Sequence, residues 1–448
     1  MHWLLVAMLY EIHPGDDLFA RLAQLAPGDE VVVHSGTYTT PGFFQVTWAG
    51  TPSQPIIVRA ADGETRPVIM GDPSQNVIDL SGSYFTLRGF EIRGGSHGVR
   101  LANADHATLD DLVLHDLGDV GISCNRDGDT CDHVTISHSE IYDTGHAGTG
   151  EGMYLGCNDA ACSFVDSIVE GNYVHDTGGD QGDGIEVKTG AYGNVVRDNV
   201  IVRTKYPAIT MYGYAGAQPR NVVERNLVWT TQDNGIQVVG QVVVRNNIVL
   251  GAAASGIASK ASQAMTPHDL EIVNNTIVGA AGTTCLKSND WATATGQVVA
   301  NNALDCEGGT AIDLNGGAPN AIVAANLTVV AAELGDPATA HVYPPSGSPV
   351  IDKGDSAHAA ADDFNGTART DGKPDVGAYE RTTDTNPGWD PHEGFKTPPA
   401  AGAIDAGVTS PDAGGSGAAP GGCCDARGDR TSALFLLAIV VALRRYSS

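Results

Sequence analysis

Asp198-Asn-Val-Ile-Val, Arg225-Asn-Leu-Val-Trp, Asn246-Asn-Ile-Val-Leu and Asn274-Asn-Thr-Ile-Val repeat one phrase, an asparagine followed by a short apolar run. The series starts earlier, with Arg88-Gly-Phe-Glu-Ile, Asp110-Asp-Leu-Val-Leu, His138-Ser-Glu-Ile-Tyr and Gly171-Asn-Tyr-Val-His. It ends with Asn301-Asn-Ala-Leu-Asp and Ala325-Asn-Leu-Thr-Val. Taking the second residue of each phrase gives Gly89, Asp111, Ser139, Asn172, Asn199, Asn226, Asn247, Asn275, Asn302 and Asn326. Their spacings are 22, 28, 33, 27, 27, 21, 28, 27 and 24. A period of this size with only short strands in each unit marks a solenoid.

Each unit carries a second phrase: Gly98-Val-Arg-Leu, Gly121-Ile-Ser-Cys, Gly152-Met-Tyr-Leu, Gly184-Ile-Glu-Val, Ala208-Ile-Thr-Met, Gly235-Ile-Gln-Val, Gly256-Ile-Ala-Ser and Ala311-Ile-Asp-Leu. The pattern is small, apolar, variable, apolar, and no helical period of comparable length lies between the phrases. An all-β chain in which every turn buries its apolar residues against its neighbours satisfies both phrases. The sequence therefore predicts a right-handed parallel β-helix of about ten or more coils, with the asparagine column as a ladder of amides at a turn. Gly15-Asp-Asp-Leu-Phe-Ala-Arg-Leu predicts a capping helix with Asp16 or Asp17 as N-cap, followed by Val31-Val-Val-His as the first strand. The helix is expected to cover the open N-terminal end of the solenoid, since an uncapped coil exposes strand edges.

Composition agrees with short strands and tight turns: 56 glycines and only 6% aromatic residues. The formal charge of −28 argues against nucleic acid or an anionic membrane surface as partner. Cys124 and Cys131 bracket one polar loop and Cys157 and Cys162 another, without clustered histidines. That arrangement reads as loop-closing disulfides, and Cys285 with Cys306 as a bridge between successive coils. Six cysteines allow about 15 pairings, so this connectivity rests on proximity in the chain. An oxidising compartment follows from it.

The termini read differently from the centre. Residues 1–10 are either the end of a truncated signal peptide or a first strand. Residues 11–381 form the β-helix domain, and 382–422 have the Pro/Gly/Ala-rich composition of a disordered linker. Residues 423–448 hold Gly421-Gly422-Cys423-Cys424 at their start, the apolar run Ala433–Leu443, and Arg444-Arg445. That arrangement resembles the myxobacterial C-terminal sorting signal. The resemblance implies a short hydrophobic helix, export, and attachment to the cell envelope through the tail or release after cleavage near Cys423. A monomer, secreted or held at the outer cell surface, is expected.

Gly347-Ser-Pro-Val-Ile-Asp-Lys-Gly and Asp363-Phe-Asn-Gly, with Arg369 and Pro374-Asp-Val-Gly-Ala-Tyr-Glu380, resemble the closing segment of secreted right-handed β-helix proteins of the pectate-lyase-like superfamily. The resemblance spans roughly residues 10–381. It implies a fold that hosts many chemistries.

Aligning the second phrase by coil gives an outward column of Arg100, Ser123, Tyr154, Glu186, Thr210, Gln237, Ala258 and Asp313. Two residues further on come Gly156, Lys188, Tyr212 and, by a looser alignment, Lys260. Coils stack about 4.8 Å apart, so Glu151, Asp183 and Glu186 are expected to converge on one cation, with Ca²⁺ suited to oxygen-only ligands. Lys188, Tyr154 and Tyr212 are the candidate catalytic groups, and Lys260, Gln237 and Thr210 the candidate substrate contacts. The two longest coils carry acidic insertions here, Gly145–Glu151 and Gly178–Asp183, which suit a groove wall. Glu-Val-Lys-Thr resembles a Glu-x-Lys-Ser-like segment of alginate and chondroitin lyases, which implies β-elimination on an acidic polysaccharide. Those enzymes place an arginine on the next coil, where this chain has Met211-Tyr212. Thr266-Pro-His-Asp269 resembles a motif of mannuronan epimerases but lacks its flanking residues. The alternatives are a surface Glu–Lys ion pair on a non-catalytic carbohydrate-binding or adhesive β-helix, or a glycoside hydrolase using two of the carboxylates.

Overall fold

The computed structural model describes residues 7–397. Residues 1–6, the later part of the expected linker and the whole expected sorting tail lie outside the described residues. Three strands make each regular coil. One coil runs through Val195–Arg197, Val200–Val202 and Ile209–Gly213, and the next through Asn221–Glu224, Leu227–Trp229 and Ile236–Gly240. Pairing is parallel throughout: Val195 faces Val222, Val200 faces Leu227, and Ile209 faces Ile236. The chain is a right-handed parallel β-helix.

The apolar positions of both phrases point inward and form one continuous column, with Ile185, Ile209, Ile236 and Ile257 fully buried. The small residue that opens the second phrase has a steric cause. A Cβ on Gly184 would sit 2.5 Å from the Ala208 carbonyl oxygen of the next coil.

The asparagine column is a ladder. Each Nδ2 from Asn172 to Asn275 donates to the Oδ1 of the next coil's asparagine at 3.0 Å, through Asn199, Asn226, Asn247 and Asn302. Each Oδ1 also accepts from the backbone N–H of the preceding coil. Ser139 takes the place of asparagine near the start, its N–H donating to Asn172. The first two coils are registered one residue later than the sequence alignment had them. Val113 pairs with Glu91 and Glu140, which puts Phe90 and Leu112, not Gly89 and Asp111, in line with Ser139. Gly89 and Asp111 instead occupy the left-handed bend that precedes the ladder, at φ +84° and +55°. A second, shorter ladder joins Ser167, Asn194 and Asn221.

The N-terminal helix spans Leu18–Leu22, with Asp17 as its cap. Leu9–Ile12 forms a strand ahead of Val31, pairing with Glu30–Val33. At the other end, the chain folds back over the outer face of the second sheet. Phe364, Tyr379 and Trp389 bury Val200, Leu227 and Ile248 there. Composition alone starts the linker at 382, yet residues up to Lys396 are packed. Lys396 Nζ is buried and donates to Asp198 Oδ1 at 2.8 Å and to the Arg225 and Phe364 carbonyls. All three expected disulfides are formed: Cys124–Cys131, Cys157–Cys162 and Cys285–Cys306.

Candidate functional site

Parallel register brings Met153–Leu155, Ile185–Thr189, Ile209–Gly213 and Ile236–Gly240 side by side. Tyr154, Glu186, Thr210 and Gln237 therefore stand in one row, as the column alignment had them. Val239 takes the place between Tyr212 and Lys260 in the neighbouring row. One coil escaped the alignment: Cys285-Leu286-Lys287-Ser288 pairs between Ile257 and Ile312, so Lys287 stands between Ala258 and Asp313.

Glu186 and Lys188 are not a surface ion pair. Relative exposure is 3% for Glu186, 2% for Lys188, 4% for Asp183 and 0% for Glu151. Lys188 Nζ donates to Glu186 Oε1 at 2.5 Å. Its ammonium lies 4.3 Å from the centroid of the Tyr154 ring and 5.5 Å from that of Tyr212. Gly156 makes room for it: a Cβ there would fall 3.1 Å from Lys188 Cβ, on a backbone at φ +93°.

Glu151, Asp183 and Glu186 each offer an oxygen, all within 4.8 Å of one another. Burial raises Asp183 well above the usual carboxylate range, reinforced by the charges of Glu186 and Glu151. Burial also raises Glu186, against the pull of Lys188, and raises Glu151. Thr149 Oγ1 lies 2.5 Å from Glu151 Oε2 and 2.9 Å from Asp119 Oδ1. A hydroxyl donates one proton, so Asp119 and Glu151 compete for it as acceptors. Thr210, expected to touch substrate, is instead buried and donates to Asp183 Oδ1 at 2.6 Å. It positions a carboxylate.

Beside this cluster opens a cavity of about 290 Å³, lined by Asp183, Glu186, Lys188, Tyr212, Gln237 and Lys260 among others. Tyr154 and Glu151 sit behind its wall. Residues outside the repeat complete the lining: Gln181 and Tyr206 from the acidic side, and Asn158, Ser262 and Gln263 from two loops. Only Gln181 lies in a segment flagged by its length; the loop residues carry no periodic signal. Burial, with Glu186 next, raises both tyrosine phenols, Tyr154 and Tyr212, so both stay protonated through the neutral range.

Other candidates stand apart from this site. His268 is held by the Thr266 and Tyr214 carbonyls, a structural role. His175 lies within strand Tyr173–Thr177, between Glu140 and Asp176.

Residues 12–205 match the family model of the Pel9A-like, right-handed β-helix region. That span contains the acidic cluster and Lys188 but less than half of the 448 residues. The structure of pectate lyase Pel9A superposes with a TM-score of 0.55 at 15% identity, over 84% of this chain and 96% of that one. Dettilon tailspike protein gives a TM-score of 0.50 at 13% identity, over 70% of this chain and 68% of that one. The alginate lyase from Paenibacillus sp. str. FPU-7 is 20% identical over 70% of this chain and 97% of its own, with a TM-score of 0.46. At these identities the likeness concerns the fold alone, the right-handed parallel β-helix. No curated protein sequence matches the chain.

Proposed function

We propose that the chain is a secreted or surface-held polysaccharide lyase that cleaves uronate-containing glycans by β-elimination, assisted by Ca²⁺. The observation that carries this reading is Lys188, buried against Glu186 between two protonated tyrosines at the floor of an open cavity. The three disulfides suit an exported protein.

The donor set fits a hard cation. It is all oxygen, and Glu151 Oε1 and Glu186 Oε2 are buried with no hydrogen-bond partner. Glu151, Asp183 and Glu186 would hold the ion, which when bound neutralises the uronate carboxylate and acidifies the adjacent C5–H. The protein's own groups do the rest. Lys188, as its free amine at the cavity, is the candidate base. The amine takes the C5 proton; the freed electron pair forms the C4=C5 bond, and the C4–O glycosidic bond breaks. Tyr212, in the cavity wall, gives its proton to the leaving oxygen. Lys260 and Gln237 are placed to hold the sugar's carboxylate and hydroxyls.

A retaining hydrolase sets its carboxyl groups about 5–5.5 Å apart, and an inverting one further. Here Glu186 is occupied by Lys188 and is not free to act as nucleophile or base, which disfavours the hydrolase. A binding-only protein needs an open face but no buried Lys–Glu pair. Purified protein incubated with pectate, alginate and chondroitin, with and without Ca²⁺, tests the proposal through absorbance of the unsaturated product. Activity on a uronate polymer that Lys188→Ala abolishes is expected. No signal on any of them, or equal signal from the variant, would sink the lyase reading.

A further inference from the structure

Two loops from coils well separated along the solenoid meet beside Lys188. The Cys157–Cys162 disulfide closes the first, which follows Tyr154. Ser262 and Met265 pair to close the second, which follows Lys260. Gln263 Nε2 donates to Asn158 Oδ1 at 2.7 Å, a contact across 105 residues. Tyr154 Oη donates to the same Asn158 oxygen at 3.4 Å, and Thr189 Oγ1 to Gln263 Oε1 at 3.2 Å. Tyr212, Val239 and Met265 form a small apolar cluster under the second loop.

The backbone at this contact is unusual. Single non-glycine residues at positive φ recur at the coil bends, but two in succession occur in two places among the described residues. These are Asp159–Ala160, at +53° and +57°, and Gln263–Ala264, at +49° and +62°. They are the two tips that meet. Two successive left-handed residues are the geometry of a type I′ turn. Each tip is closed by its own backbone bond, Ala161 N–H to the Asn158 carbonyl and Met265 N–H to the Ser262 carbonyl, so the side-chain contact joins two preformed turns.

We propose that Asn158 and Gln263 latch a clasp that controls access to Lys188 and decides what length of polysaccharide enters. With the clasp shut, the cavity of about 290 Å³ is at the small end of ligand sites. It takes the end of a chain, and a through-running polymer requires the clasp to open. The disulfide pins the first tip, so the 260–265 loop is the part that moves. The substrate half of this inference rests on the lyase reading; the gating half does not.

The test is the rate at which an acylating reagent labels Lys188, read by mass spectrometry. Lys396 serves as an internal control, because it is buried at a distant site. Gln263→Ala removes the bond to Asn158 and the one from Thr189 and is expected to speed Lys188 labelling roughly two- to ten-fold. Asn158→Ala, which removes the other partner of the latch, is expected to speed it to a similar extent, with Lys396 unchanged in both variants. Equal Lys188 rates in wild type and both variants, or parallel changes at Lys396, overturn the clasp. On uronate substrates, Gln263→Ala should raise kcat/KM for polymer relative to short oligosaccharides. A clasp that gates labelling but leaves this ratio unmoved overturns the length selection alone.

Discussion

Asp183→Asn is the substitution whose effect follows most directly from the charges in the site. At an effective dielectric near 20, two carboxylates within 4.8 Å of each other repel by at least about 3.5 kcal/mol, and three such pairs by at least about 10. The Lys188–Glu186 contact at 2.5 Å returns about 7 kcal/mol on the same scale. Burying the ions costs more again, and burial with the Glu186 and Glu151 charges pushes Asp183 well above the usual carboxylate range. In the unfolded chain that carboxyl ionises near pH 4. Holding its proton therefore costs about 1.4 kcal/mol for each pH unit between that and the raised folded value. The sign follows: a raised folded pKa leaves the favourable term intact below pH 4 and removes it as pH rises towards the folded value. Asparagine keeps the bond from Thr210 and carries no charge. In calcium-free buffer at pH 7, Asp183→Asn should be more stable than wild type by chemical denaturation, by about 1.4 kcal/mol for each unit that folding raises the Asp183 carboxyl, with the gap closing towards pH 4. Added Ca²⁺ should stabilise wild type and do much less for the variant. A variant less stable than wild type at pH 7 without Ca²⁺, or equal Ca²⁺ stabilisation of both, would refute the reasoning.

Asn247→Ala, in the middle of the ladder, leaves the Asn226 N–H and amide without their acceptor and should cost about 1–3 kcal/mol in denaturant, with secondary structure retained. Trp389→Ala opens the apolar contact between the C-terminal segment and the second sheet; a loss of about 3–5 kcal/mol is expected, together with faster labelling of Lys396. Gly156→Ala places a Cβ at φ +93° against Lys188, so it should lower turnover on uronate polymers while circular dichroism stays unchanged.

The solenoid was legible because its constraint repeats. Every coil must bury the same apolar positions and satisfy the same turn amide, so Asn199, Asn226, Asn247 and Asn275 announce the period without help from the structure. Register failed only where the marker is missing: Gly89 and Asp111 were set in the ladder although they occupy the bend before it, because Phe90 and Leu112 carry no amide. The acidic cluster was legible for a related reason. Once coils are aligned, sequence position becomes spatial position, and Tyr154, Glu186 and Lys188 fall together. Burial of the Glu186–Lys188 pair was not legible, because it depends on loops that belong to no column. Asn158 and Gln263 meet through loops on coils well separated along the solenoid, and no local pattern links them. Thr210 looked like a surface contact since its side chain leaves the core, but Asp183 takes its hydroxyl.

The reaction itself is tested most directly by weighing its products. A defined uronate oligosaccharide is cleaved by wild-type protein in the presence of Ca²⁺, and the fragment masses are compared with that of the substrate. Elimination through Lys188 predicts fragments that sum to the substrate mass, one of them bearing a C4=C5 double bond. Fragments that sum to the substrate plus one water, with no unsaturation, would contradict it.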